Sequence, residues 1–154
     1  MKRSTILLTV LVCFATASLC FAADVQLGTW KLNEAKSKIG AGGPKLTTVI
    51  YEPVGDSVKV TVDDVDGDSK PLHSEWTGKF DGKDHPVTGD ATSDMRSYRT
   101  INDHTVAFTG KKGSKVVNSG RVVVAADGKS RTVTQTGTDP KGKKFSSTAV
   151  YDKQ

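Results

Sequence analysis

Apolar and polar residues alternate in steps of two along much of the chain. Val58, Val60 and Val62 fall on one side of an extended backbone, with Lys59, Thr61 and Asp63 on the other. Leu72, Trp76 and Phe80 share a side opposite His73, Glu75, Thr77 and Lys79, while Val106 aligns with Phe108 and Val122 with Val124. Successive side chains of a strand point to opposite faces, so each run predicts a strand with one buried face. A helical period is sustained nowhere. Only LNEAKSK (32–38) could hold a turn or two of helix, with Asn33 as its N-cap.

Turn-forming clusters punctuate these runs: GAGGP (40–44), PVGD (53–56), DVDGD (64–68), DGKD (81–84), IND (101–103), KKGS (111–114), ADGK (126–129) and DPKGK (139–143). Short strands joined by tight connections predict antiparallel neighbours. The expected fold is therefore all-β, an up-and-down meander of 8–10 strands. A meander of that length closes into a barrel, because closure removes the exposed edges. No internal repeat or linker divides it, so residues 23–154 are expected to form a single β-barrel domain.

The first residues stand apart from this pattern. Lys2 and Arg3 precede an apolar stretch from Ile6 to Phe21 that ends in small residues, which is the build of a secretory signal peptide. Residues 1–22 are expected to be removed after about Ala22. They are too short and too soon interrupted to act as a stable membrane anchor. Both cysteines, Cys13 and Cys20, leave with them. Thiol chemistry, cysteine zinc sites and disulfide staples are thereby excluded, and the domain must be held by its core alone. Export is to the periplasm or to the medium.

Composition narrows the core. Hydrophobic residues make up 36% of the chain and aromatics 6%, which predicts a small core or one surrounding a partly polar cavity. The net charge of +5 falls when Lys2 and Arg3 are removed, and its densest points are the pairs Lys111-Lys112 and Lys143-Lys144 beside turn glycines. Nucleic-acid binders gather basic residues on one face with aromatics for stacking. This chain does neither, so no nucleic-acid partner is expected.

Two resemblances follow from motifs. GTWKLN (28–33), AKSK (35–38), KFDGK-D-x-PVTG (79–89), RVV (121–123) with DGKS-x-TVT (127–134), GTDPKGK (137–143) and VYDKQ (150–154) together resemble a group of small exported bacterial proteins. That likeness covers nearly the whole mature chain and implies no activity. Gly28-x-Trp30 on the first strand, with the final strand AVYDK (149–153), looks like the calycins, the superfamily of lipocalins, fatty-acid-binding proteins and avidins. The calycin resemblance implies that Trp30 plugs one barrel end beneath a basic side chain from a late strand, either Arg121 or Arg131. It does not extend to the intracellular fatty-acid carriers. Their Arg-x-Tyr pair would fall at Ala149-Val150-Tyr151, where the arginine is missing, and Asn33 to Lys45 is too short for their two-helix lid.

The candidate chemical sites are sparse. KFDGKDHPVTGD (79–90) gathers Asp81, Asp84, Asp90 and His85, but Asp84 and His85 are neighbours that point opposite ways in extended chain. Asp81-Gly82 and Gly89-Asp90 have turn composition, and we read the stretch as turns rather than as a triad. DVDGDSKPLHSE (64–75) places Asp64, Asp66, Asp68 and Glu75 at calcium-loop spacing, with Ser69 where such a loop needs glycine. A hairpin is expected there, with a calcium site as the alternative. His73, His85 and His104 lack the spacing of a chelating pair. No transition metal or cofactor is expected, and no constellation marks an enzyme.

A barrel lumen would be lined by Leu72, Trp76 and Phe80, with Tyr98, Phe108 and Tyr151. The leading expectation is an exported, lipocalin-like binding protein holding a small, largely apolar molecule there. Its rival is an interaction or inhibitor module with a filled core that binds another envelope protein.

Overall fold

The computed structural model of the chain describes residues 22–65 and 71–154. A short helix, α1 (Ala22–Gln26), leads into β1 (Gly28–Leu32), and a 3-10 turn at Glu34–Lys36 follows. Nine more strands complete the chain: β2 (Leu46–Val54), β3 (Ser57–Val65), β4 (Pro71–Gly78), β5 (His85–Thr88), β6 (Met95–Asn102), β7 (Thr105–Lys112), β8 (Lys115–Val124), β9 (Ser130–Thr138) and β10 (Lys144–Lys153). Each pairs antiparallel with its sequence neighbour, and β1 joins both β2 and β10, so the ten strands form a closed up-and-down barrel. The all-β meander expected from the alternation is the observed fold.

Alternation puts the core inside. Val58, Val60 and Val62 are buried along β3, and Phe145, Ser147, Ala149 and Tyr151 along β10. The Asn33 side chain accepts from the Lys36 amide and caps the 3-10 turn, as LNEAKSK predicts. Helix α1 has no counterpart among the expected elements. Val25 and the following Leu27 pack against the core, and the Gln26 carbonyl accepts the Trp30 indole N–H at 2.7 Å. The expected signal peptide lies almost wholly outside the described residues, as does the tip of the β3–β4 connection.

The two barrel ends are unlike. At the end bearing α1, Trp30 is fully buried, and Trp76 packs edge-on against Tyr98 at 4.7 Å between ring centroids and at a tilt against Phe80 at 6.3 Å. Three large rings from β4, the β4–β5 connection and β6 fill that half, joined by Val60 and Val106. At the far end the inward side chains are shorter, and the wall encloses open space.

Candidate functional site

That space is a cavity of about 170 Å³. Its rim lies on the rung where Leu46 pairs with Asp64 and Asp64 with Leu72, together with Pro44 and the Gly89–Thr92 loop. Its walls are chiefly Val49, Val62, Val122, Val133 and Ala149, with the Phe108 ring on one side. Tyr51, Tyr98, Tyr151 and Arg131 form its floor, above the packed half.

The expected lining residues divide between the two halves. Leu72, Tyr98, Phe108 and Tyr151 line the cavity, Leu72 at the rim with 44% of its surface exposed. Trp76 and Phe80 do not line it, which corrects the expectation for those two. Their rings are consumed in the aromatic cluster beneath, where the Trp76 N–H donates to the Arg96 carbonyl at 2.8 Å. Tyr98 is the divider, touching Trp76 and Phe80 on one side and Phe108 on the other.

The floor is built around Arg131. The sequence leaves Arg121 and Arg131 open as partners of Trp30; Arg121 points outward and is exposed, whereas Arg131 is 2% exposed. Its guanidinium carbon lies 4.8 Å from the Trp30 ring centroid, 4.8 Å from that of Tyr51 and 5.0 Å from that of Tyr151. Each ring face attracts the cation. Lys153 adds a second cation 5.2 Å from Trp30, and a Cβ at Gly28 would meet the Lys153 Cε at 2.9 Å, so the glycine gives that side chain room. Burial pushes the Tyr151 phenol up to about 12, with Arg131 opposing. Burial likewise raises Tyr51, helped by Tyr98 and opposed by Arg131. Both therefore stay protonated at neutral pH.

One rim segment is held by charge. Asp90 accepts from the Thr92 amide at 2.8 Å, the Thr92 hydroxyl at 2.7 Å, the Ser93 hydroxyl at 2.5 Å and the Arg96 guanidinium at 2.9 Å. Burial alone would raise its pKa, but the Ser93 and Thr92 donors and the Arg96 charge together hold it below the ordinary carboxylate value. Gly89 has φ +79°, and a Cβ there would fall 2.0 Å from the His73 carbonyl, so only glycine lets this loop cross β4.

The other acidic candidates take local roles. Asp81 accepts from the Lys83 amide at 3.0 Å in a side-chain-capped turn, and Asp84 pairs with Lys111 at 2.6 Å. His85 lies edge-on to Trp76 with ring centroids 5.7 Å apart. With Asp90 tied to its own loop, KFDGKDHPVTGD forms turns flanking β5. The calcium alternative loses its Asp64–Glu75 pairing. Asp64 faces the lumen, whereas Glu75 lies on the outer wall, bonded to Lys59 at 2.6 Å and close to His73. Residues on opposite faces of one sheet cannot ligate one ion; Asp66 and Asp68 lie outside the described residues. Among the described residues no group of three His, Cys, Asp or Glu could hold a metal ion.

Sequence reasoning missed Tyr51, Arg96, Asp90, Asn118 and Gln135 as lining residues. A signal existed for Gln135: in SRTVTQTGT, threonines occupy every second place, leaving Arg131, Val133 and Gln135 on the other face. Tyr51 gave none, because Val49-Ile50-Tyr51 is continuously apolar and does not declare its face.

No family model and no curated protein matches the chain. Among solved structures, a redesigned β barrel aligns with a TM-score of 0.51 over 90% of this chain and 99% of its own, at 15% identity. Another redesigned β barrel, mFAP1 bound to DFHBI, aligns with a TM-score of 0.48 over 86% of this chain and 98% of its own, at 12% identity. The first of these likenesses shows the fold alone.

Proposed function

We propose that this chain is an exported, calycin-like binding protein that holds a small, largely apolar molecule in the upper half of its barrel. The observation that carries the reading is the cavity of about 170 Å³ inside a closed wall, apolar along its sides and polar at its floor. Apolar pockets with a few convergent polar groups are the usual build of ligand sites. At this volume the occupant is small, since an engineered apolar cavity of about 150 Å³ takes benzene. Export rests on residues 1–22, and the calycin-like reading on Gly28-x-Trp30 with a cation stacked over the ring. The protein binds without turnover in this reading and needs no cofactor.

The rival, an interaction module, calls for a filled core and a contiguous exposed apolar patch. Only the lower half of the lumen is filled. Native mass spectrometry on protein purified without detergent from the host envelope tests the choice. A discrete extra mass, lost on denaturation, is expected. A polypeptide-only mass, unchanged by added lipid or calcium, would sink the carrier reading and turn attention to protein partners.

A further inference from the structure

We propose that the lumen selects anions, specifically small aromatic or short-chain carboxylates, with the Arg131 guanidinium as their anchor. This deepens the lumen-binding reading and rests on it. Arginine stays protonated in proteins, and a buried cation is costly unless anions or hydrogen-bond acceptors surround it. Arg131 is buried to 2% exposure, yet its Nε and Nη1 have no hydrogen-bond partner. The three ring faces around it attract its charge but leave these N–H groups unaccepted. Closing the barrel floor uses the stack on Trp30; it makes no use of these two donors, which the surrounding rings cover in the ligand-free floor.

Those donors belong to a side chain that lines the cavity. Other charges there do not answer them. Arg96 and Asp90 are paired with one another at 2.9 Å. Asp64 is at the rim, four residues beyond the Val60 that pairs with Tyr51, about 13 Å along the strand, and from there its charge still reaches Tyr151 beside the guanidinium. The Tyr51 phenol hydrogen-bonds the Arg131 side chain, but it and Tyr151 both carry their protons and add no negative charge. A ligand carboxylate would bring both the charge and the acceptors, and charge-assisted hydrogen bonds of this kind are the strong ones. Its apolar body would then lie against Val49, Val62, Val122 and Ala149. The volume fits one or two rings, or a short chain, better than a long one.

The test compares isosteric acids and alcohols by titration calorimetry at pH 7: 2-naphthoate with 2-naphthylmethanol, and benzoate with benzyl alcohol. At least one acid is expected to bind tenfold or more tightly than its alcohol. In Arg131→Met that preference disappears while the alcohol's affinity is kept. Should this variant not fold, the wild-type protein labelled with 15N-arginine decides. The Arg131 Nε–H resonance shifts on adding the acid and stays still on adding the alcohol. Equal affinities, or a tighter alcohol, would overturn the anion inference and leave the lumen reading standing. Acid binding that leaves the Arg131 resonance unmoved would place the acid elsewhere and overturn the inference too. Binding by none of the four would count against both readings.

Discussion

The lower and upper halves of this barrel are walled by the same strands but hold different amounts of matter. Below Tyr98 the inward positions carry Trp30, Trp76 and Phe80, and α1 brings Val25 and Leu27 against the core. Above it they carry Val49, Val62, Val122, Val133 and Ala149. Both sets are apolar, and alternation along the strands looks alike in both. The cavity therefore follows from side-chain volume and from which rung a ring occupies. Hydrophobic pattern specifies a barrel, but ring placement decides whether it is solid or hollow.

The difference is largest in what a truncation would cost. Trp76 is 1% exposed and packs on Phe80, Tyr98 and His85. Trp76→Ala should lower unfolding free energy by about 4 kcal/mol, the usual range for a buried aromatic. Leu72→Ala, at the exposed rim, should cost about 1 kcal/mol, since nearly half of the side chain is already in water. Urea denaturation of both variants checks the contrast. Near-equal costs would mean that the upper half is packed as tightly as the lower.

A second test concerns how the rim is held without aromatic packing. Asp90 fastens its loop to Arg96, with side chains 15% and 12% exposed. Asp90→Ala should cost about 3 kcal/mol at pH 7, because it leaves a largely buried cation uncompensated. Since the folded pKa of Asp90 is depressed, its stabilisation is fully present above the unfolded value near 3.8 and is lost as pH falls through the folded value. Denaturation at pH 7 and again near pH 3 should show the gap between wild type and variant narrowing at the lower pH.

These two halves were not equally legible in the chain. The strands, their antiparallel order and closure follow from period-two alternation and turn chemistry, which act within a few residues. Arg131 was one of two arginines on the right strands; choosing it needs the register that brings β9 beside Tyr151 and under Trp30, which is a long-range fact. The face that Trp76 and Phe80 share with Leu72 places all three in the lining by pattern alone. Facing inward did not distinguish a rung that is filled from one that is open. Spacing alone joins Glu75 to Asp64, whereas the β3–β4 register pairs Asp64 with Leu72 and leaves Glu75 on the opposite face.

Enlargement should sharpen the contrast where truncation only samples it. Val60 lies in the packed half and Val122 on the cavity wall, and both are well buried. Val60→Leu should cost about 1–3 kcal/mol, the usual penalty of forcing a methylene into a full core. Val122→Leu has space to enter and should be neutral or stabilising by up to about 1 kcal/mol, since voids are costly in proportion to their volume. The same variant should weaken binding of any lumen ligand. If Val122→Leu were as damaging as Val60→Leu, the upper half would not be open.

The smallest effect belongs to neither half and serves as their control. His73 sits on the outer wall of the rung that includes Ser74 of the cavity lining, with its Nδ1 2.8 Å from Asp63 and its Nε2 3.4 Å from Glu75. Asp63, then Glu75, holds its pKa above the ordinary 6.5. A histidine raised in this way contributes its stabilisation below the unfolded value, and that contribution fades as pH rises through the folded one. An NMR titration should find His73 above 6.5 and Asp63→Asn should bring it down. Trp76→Ala and lumen ligands should leave it unmoved, because the sheet separates the outer ion pairs from the interior. A His73 titration that responded to lumen occupancy would show that β4 transmits the state of the cavity to the surface, and the two sides of the wall could no longer be treated separately.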